Sequence, residues 1–408
     1  MSQFRRLSRA AALLCAFALP GSADAAAAQR VETFAVPSTQ GNIDLKVARL
    51  NRGGALDARV VLPSGYDEQP EKRWPVLYLL HGVSDTSATW FQKDKGDLLR
   101  RAKDLPAIIV VPEGGRGYYS DFWLGGSRKG GNWERYYLDE IIPLMERRYR
   151  IAAGRRNHTI AGLSMGGYGA ALLGAELPGY FGSIISFSGL WDIEYNAVET
   201  FVPAFSGFSY SLQWGRKRGQ YARAHNPTRL LENYRGTRLY ASTGNGRWPL
   251  DAGFDPIRAI VGGVTEYFGW FDTQWFGQRA RRAGLDITVA EHSAGTHTWI
   301  FWRRELQSVI ARYGLFGEGA GAERQRTSFT YSTMARHGNA WGIGFQFSAL
   351  PTAVMTLTRD GQLLRASGTG TVTINPGAAD ADASGNGTRP DCSFTATLPF
   401  ERELPAGC

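Results

Sequence analysis

The pentapeptide Gly162-Leu163-Ser164-Met165-Gly166 constrains the fold of this chain more than any other stretch. An apolar run, Thr159 to Leu163, leads into it, and a helix-forming stretch, Tyr168 to Leu177, leads out. A serine held on so sharp a strand-to-helix turn needs small neighbours, and Gly162, Gly166 and Gly167 supply them. Such a turn lifts the Ser164 hydroxyl above the carboxyl end of a parallel sheet, so the rest of the chain should supply that sheet. It does so in form. Val76 to Leu80, Ala107 to Val111, Ser183 to Phe187, Arg238 to Ala241 and Asp286 to Ala290 are short continuous apolar runs, the pattern of strands buried on both faces. Helical periodicity separates them, in Tyr136 to Arg148 and again in Trp299 to Ile310. The expectation is a doubly wound, mostly parallel α/β sheet. Ahead of it, Ile43 to Leu50 and Asp57 to Leu62 alternate as two strands about Arg52-Gly53-Gly54. The aromatic stretches Leu190 to Pro227 and Trp248 to Trp275 fit no element and are expected to be irregular. They could roof the carboxyl ends of the strands, where α/β sites lie, or only cover the sheet edge.

A serine hydroxyl is a weak nucleophile until a base takes its proton, so a histidine should follow Ser164 in the chain. His297, in Gly295-Thr296-His297-Thr298-Trp299, stands between the last apolar run and the last amphipathic helix and is favoured over His292 and His225. An acid between serine and histidine must orient the imidazole. Asp251, Asp255 and Glu266 are available, and chain order alone favours the aspartates. A developing oxyanion needs two backbone donors. The Met165 N–H follows the serine, and the Val83 N–H lies in the loop after the first apolar run, where Gly82 permits an unusual backbone. His81 in that loop is expected to make structural hydrogen bonds. This chemistry calls for no metal and no organic cofactor.

Five motifs in fixed order carry a resemblance. They are Tyr119-Ser120-Asp121-Phe122-Trp123, the pentapeptide, Asn226-Pro227-Thr228, Tyr240 to Gly246, and Gly295 to Trp299. From about Val76 to Ile310 the chain resembles the secreted serine esterases of the α/β-hydrolase fold that include S-formylglutathione hydrolases, feruloyl esterases and trehalose mycolyltransferases. In the mycolyltransferase branch the acid is a helical glutamate about thirty residues before the histidine. The resemblance therefore implies a Ser164, Glu266, His297 triad, with Asp251 as the alternative acid. That branch has an aspartate where His81 stands and an arginine near Ser84, so the sugar-acceptor pattern is broken here. Hydrolysis through an acyl-serine intermediate is expected. The alternatives are acyl transfer to a sugar or lipid hydroxyl and, from another class, a non-catalytic cell-wall or carbohydrate-binding protein. The expected partner is a small-molecule or polysaccharide-linked ester.

The remainder of the sequence bears on location and domains. Arg5, Arg6 and Arg9 precede an apolar Ala10 to Leu19, a break at Pro20-Gly21 and a small-residue Ala23-Asp24-Ala25. Residues 1–25 thus read as a signal peptide, too short to anchor, and the mature chain as secreted, extracellular or periplasmic. Cys392 and Cys408 remain after cleavage and are expected to pair as a disulfide. The net charge of +9 is scattered over helix faces, which argues against nucleic acid, and no later stretch is apolar enough for stable membrane insertion. The α/β-hydrolase domain is expected over 31–318 and a small β-rich C-terminal domain of unexpressed role over 323–408, separable from it.

Overall fold

In a computed structural model, the described residues are 29–40, 56–123, 131–248, 256–317, 327–378 and 390–408. The expected signal peptide and the strand expected over Ile43 to Leu50 lie outside them. Eight strands form the main sheet: β1 (Arg30–Ala35), β2 (Asp57–Leu62), β3 (Val76–Leu80), β4 (Ile108–Pro112), β5 (His158–Leu163), β6 (Ser183–Phe187), β7 (Arg238–Thr243) and β8 (Ile287–Glu291). Their spatial order is β1-β2-β4-β3-β5-β6-β7-β8. The first three neighbours pair antiparallel, and β4, β3, β5, β6, β7 and β8 run parallel. This is the α/β-hydrolase architecture that the apolar runs imply.

Side-chain alternation explains why those runs are apolar without a break. Val76, Tyr78 and Leu80 enter the core on one face of the sheet, while Leu77 and Leu79 enter the core on the other. Ile108 and Val110 divide from Ile109 and Val111 in the same way. With helices on both faces no position is left to water, so polar alternation would leave buried groups unpaired. The first face carries α1 (Ile142–Arg148) and α2 (Met165–Glu176). Above the strand ends lies α3 (Val198–Ser206), and α4 (Pro256–Arg282) closes the same face through Phe276 and Ala280. The second face is covered by α5 (Trp299–Ser308) through Trp302 and Leu306.

The segment Trp248 to Trp275 departs from expectation. Residues 256–275 of it belong to the 27-residue helix α4, not to an irregular loop. The helix escapes a periodicity reading because its outward face is as apolar as its inward one, with Ile260, Val264, Tyr267, Phe271 and Trp275 all exposed. The stretch Leu190 to Pro227 is also partly helical, and its aromatics divide. Trp191 and Trp214 are wholly buried, whereas Tyr195, Phe201 and Phe205 face a cavity above the sheet.

Beyond residue 326 the chain forms a module of two four-stranded antiparallel sheets. Their strands are β9 (Ser328–Thr333), β10 (His337–Ala340), β11 (Ile343–Phe347), β12 (Met355–Asp360), β13 (Leu363–Ser367), β14 (Thr371–Pro376), β15 (Phe394–Thr397) and β16 (Phe400–Glu403). The orders β10-β11-β14-β15 and β16-β13-β12-β9 share one core that includes Tyr331, Phe345, Leu357, Leu364 and Ile374. Cys392 and Cys408 are joined by a disulfide. The module is not isolated. Glu176, buried at the end of α2, accepts hydrogen bonds at one carboxyl oxygen from the Tyr331 and Thr333 hydroxyls, both at 2.9 Å. Asn233 bonds the backbone of Ser332 through both ends of its amide, Arg135 donates to the His337 carbonyl at 2.9 Å, and the Arg155 guanidinium lies over Trp341.

Candidate active site

The turn after β5 sets the geometry. Ser164 has φ 53° and ψ −119°, a strained conformation for a residue with a side chain, and it is the N-cap of α2. The chain can turn so tightly only because its neighbours lack side chains. A Cβ on Gly162 would lie 2.2 Å from the Gly166 carbonyl oxygen, and one on Gly166 would lie 2.7 Å from the Leu80 and His81 carbonyls. The Ser164 N–H donates to the Phe187 carbonyl at 2.8 Å, which ties the turn to β6.

His297 Nε2 stands 2.8 Å from Ser164 Oγ, and His297 Nδ1 stands 2.8 Å from Glu266 Oε2. A tautomer with the proton on Nδ1 satisfies both contacts: that N–H donates to the carboxylate, and Nε2 accepts from the serine hydroxyl. The backbone fixes the ring's position, since the His297 N–H donates to the Gly262 carbonyl of α4 at 2.9 Å. Trp302 packs its ring against the imidazole edge to face, with centroids 4.8 Å apart.

Glu266, buried on α4, is itself held. Its second oxygen, Oε1, accepts from the Gly244 N–H and the Ser188 hydroxyl at 2.7 Å each, and from the Thr243 hydroxyl at 3.2 Å. Ser188 Oγ in turn accepts from the Trp302 indole N–H at 3.1 Å. One carboxylate oxygen thus serves the histidine while the other is pinned by the ends of β6 and β7. Sequence reasoning passed over Ser188 and Thr243. The available signal was their place just past, or at the end of, two adjacent parallel strands.

The other candidates fall elsewhere. His292 Nε2 lies 2.7 Å from a Glu305 carboxyl oxygen, and His225 Nε2 lies 3.1 Å from a Glu134 carboxyl oxygen. Asp251 and Asp255 lie outside the described residues. Val83 and Met165 both line the cavity that contains Ser164 and His297. A Cβ on Gly82 would come within 2.8 Å of the end of the Leu163 side chain and 3.0 Å of an Asp85 carboxyl oxygen, so the loop is closely packed there. His81 is buried beneath this loop, between the Gly82 carbonyl at 2.8 Å and Glu113 at 3.0 Å. Burial disfavours its charged form, but the adjacent Glu113 carboxylate outweighs that and raises its pKa, while the same pairing lowers that of Glu113. Tyr119 adds a hydroxyl that bonds the His81 backbone at 3.0 Å.

The cavity measures about 490 Å³. Leu190, Val198, Phe201, Val202, Phe205 and Phe268 make one part of its wall apolar. Ser84, Asp85, Asp94 and Lys95 make another part polar, with Lys95 3.5 Å from Asp85. Asp272 also reaches the cavity from α4. It accepts from the backbone N–H groups of Trp191 and Asp192 at 2.6 and 3.3 Å, and burial pushes its pKa up to about 8. Among the described residues, no group of three His, Cys, Asp or Glu side chains could hold a metal ion.

The chain is similar to known esterases and acyltransferases. Esterase Rv1288 of Mycobacterium tuberculosis is 28% identical over 282 residues, covering 65% of this chain and 58% of the relative. The chain therefore spans less than two thirds of that relative's length. The diacylglycerol acyltransferase/mycolyltransferase Ag85B of Mycolicibacterium smegmatis is 27% identical over 314 residues, covering 71% of this chain and 87% of Ag85B. Among solved structures, Mycobacterium tuberculosis MPT51 superposes with a TM-score of 0.55 at 19% identity, over 71% of this chain and all but 1% of its own. Staphylococcus aureus FphF, a fluorophosphonate-binding serine hydrolase, reaches the same TM-score at 16% identity, over 71% of this chain and 100% of its own. These two likenesses concern the fold. A family model, Esterase ("Putative esterase"), matches residues 52–313, which is more than half of the sequence and stops short of the C-terminal β module. The chain belongs to the Esterase family.

Proposed function

We propose that this protein is an exported serine carboxylic-ester hydrolase that works through an acyl-Ser164 intermediate. The observation that carries the reading is the unbroken relay Ser164–His297–Glu266, with 2.8 Å at each step, opening on a largely apolar cavity. In this mechanism Ser164 Oγ attacks the ester carbonyl carbon as its proton passes to His297 Nε2. The carbonyl oxygen becomes an oxyanion facing the Val83 and Met165 N–H groups at the N-terminus of α2, whose dipole favours negative charge. Collapse of the intermediate breaks the ester C–O bond, and the leaving alkoxide takes the proton from His297. Water then repeats the sequence on the acyl-serine and releases the acid. Glu266 keeps the imidazole in the tautomer that each proton transfer needs.

Acyl transfer is the second reading, favoured by the polar wall at Ser84, Asp85, Asp94 and Lys95, which could hold an acceptor alcohol beside the acyl-serine. The relatedness to Ag85B supports it also. Export rests on the N-terminal sequence pattern and is consistent with the Cys392–Cys408 disulfide. Turnover of a nitrophenyl ester, with and without trehalose or glycerol, tests the reading together with fluorophosphonate labelling of wild type and Ser164→Ala. Hydrolysis and labelling by wild type alone are expected. Acceleration by an acceptor alcohol, with a new ester as product, would favour transfer, and absence of turnover and labelling would point to a binding protein.

A further inference from the structure

Helix α4 presents its apolar residues to water as well as to the core. Ile260, Val264, Tyr267, Phe271 and Trp275 are all exposed, with Ile260 at 67% and Trp275 at 45%. At about 100° per residue, these five positions fall within an arc of about 80° on one face of the helix. Isolated apolar residues on a surface are ordinary, but a contiguous line of five, three of them aromatic, is not. The line ends at Arg281 and Arg282, both exposed in the last turn, on a chain whose net charge is +9. Apolar and aromatic residues along one helix face with arginines at its end fit the boundary between acyl chains and anionic headgroups.

The stripe also connects with the catalytic cavity. Phe271 stacks on Tyr195, with ring centroids 5.9 Å apart, and Tyr195 lines the cavity wall. Phe201 and Phe268, 5.1 Å apart, continue that wall inward, and Val261 on α4 is at once exposed and part of the lining. Apolar side chains therefore link the outer face of α4 to the cavity wall, through Val261 and through the Phe271–Tyr195 stack.

The geometry points to the exposed face of α4 as a docking surface for anionic lipid assemblies, which would present acyl esters to Ser164. This inference rests on the ester-hydrolase reading for its purpose, but its test reads binding and does not require turnover. The full chain is sedimented with vesicles of phosphatidylcholine alone and with vesicles of phosphatidylcholine and phosphatidylglycerol in equal parts. Wild type should associate with the mixed vesicles and much less with the neutral ones. The variant Ile260→Gln/Val264→Gln/Trp275→Gln should lose association by about tenfold or more while still hydrolysing a short water-soluble ester, which shows that it is folded. Arg281→Gln/Arg282→Gln should erase the preference for the anionic vesicles. Equal association of wild type and the triple variant would overturn the proposal, as would no association of wild type with either vesicle. A wild-type dimer that the triple variant dissolves would assign the face to a second copy instead. Vesicle association without any ester turnover would leave the docking surface standing and remove the hydrolase reading.

Discussion

Glu266 and His297 stand thirty-one positions apart in sequence, yet their carboxylate and imidazole meet at 2.8 Å because α4 runs back across the carboxyl ends of β6 and β7. The same crossing puts the Gly262 carbonyl, one helical turn earlier, under the His297 N–H. One helix thus orients the base through both its ring and its backbone.

Replacing Glu266 by glutamine should keep the size of the side chain but give Nδ1 a partner that no longer favours the productive tautomer. A fall in kcat of about a thousandfold or more is expected, with KM little changed, as for loss of the acid in other triads. Asp251→Asn should leave kcat near wild type. Steady-state kinetics of the pair decides between the two acids, and the opposite ranking would remove Glu266 from the assignment.

Ser188 offers a finer test. Its hydroxyl donates to Glu266 and accepts from Trp302, so Ser188→Ala breaks two contacts without touching the histidine. Gly244 and Thr243 still hold Glu266, and a moderate loss of kcat of about tenfold is expected, together with a shift in the pH–rate profile. A merely structural role would lower the thermal midpoint and leave that profile in place.

What the sequence discloses divides along physical lines. Strands buried on both faces must be apolar throughout, so β3 to β7 stand out as short runs, whereas β8, expected to be buried in the same way, is the edge strand of the sheet and stays partly exposed. The elbow is legible because its close backbone approaches exclude every side chain but hydrogen at Gly162 and Gly166. Helix α4 is not legible, since detection of a helix relies on contrast between its faces and this one has little. Ser188 and Thr243 were hidden for another reason. A small hydroxyl residue acquires its role only when sheet order brings two strand ends beneath one carboxylate, and no local spacing encodes that order. In the C-terminal module, β10, β15 and β16 are only four residues long, too short for alternation to register.

Asp272 predicts a pH dependence. Burial raises its folded-state pKa from 3.8 to about 8, so the folded protein holds a proton that the unfolded chain would release. The associated stability is fully present below about pH 4 and is lost as pH rises through about 8. Asp272→Asn keeps an oxygen acceptor for Trp191 and Asp192 and has no proton to lose. Its stability relative to wild type should therefore grow across that interval, reaching a few kcal/mol at its upper end. Denaturant midpoints at pH 5 and pH 9 measure this, and a constant difference between the two proteins would refute it.

The C-terminal module supplies the last prediction, which tests whether the tail is separable. Closing the segment between Cys392 and Cys408, which are 16 positions apart, should stabilise the module by about 3 kcal/mol in the chain-entropy account. Both cysteines lie far in sequence from the triad, so reduction should lower the module's stability and leave ester turnover nearly unchanged. Truncation is a different perturbation. Removing everything after residue 319 strips Glu176 of the Tyr331 and Thr333 hydroxyls, Asn233 of Ser332, and Arg155 of the Trp341 ring. Burial raises the pKa of Glu176, and truncation would remove both hydroxyl donors from this carboxyl group and uncover the charged cluster it shares with Glu134, Arg135 and His225. Helix α2 runs from its N-cap Ser164 to Glu176, so disorder at its far end is expected to weaken the elbow as well. Residues 26–319 expressed alone should therefore aggregate or show a much reduced thermal midpoint, and Glu176→Gln in the full chain should retain most of its stability. A soluble fragment with full turnover and an unchanged midpoint would restore the two-domain view.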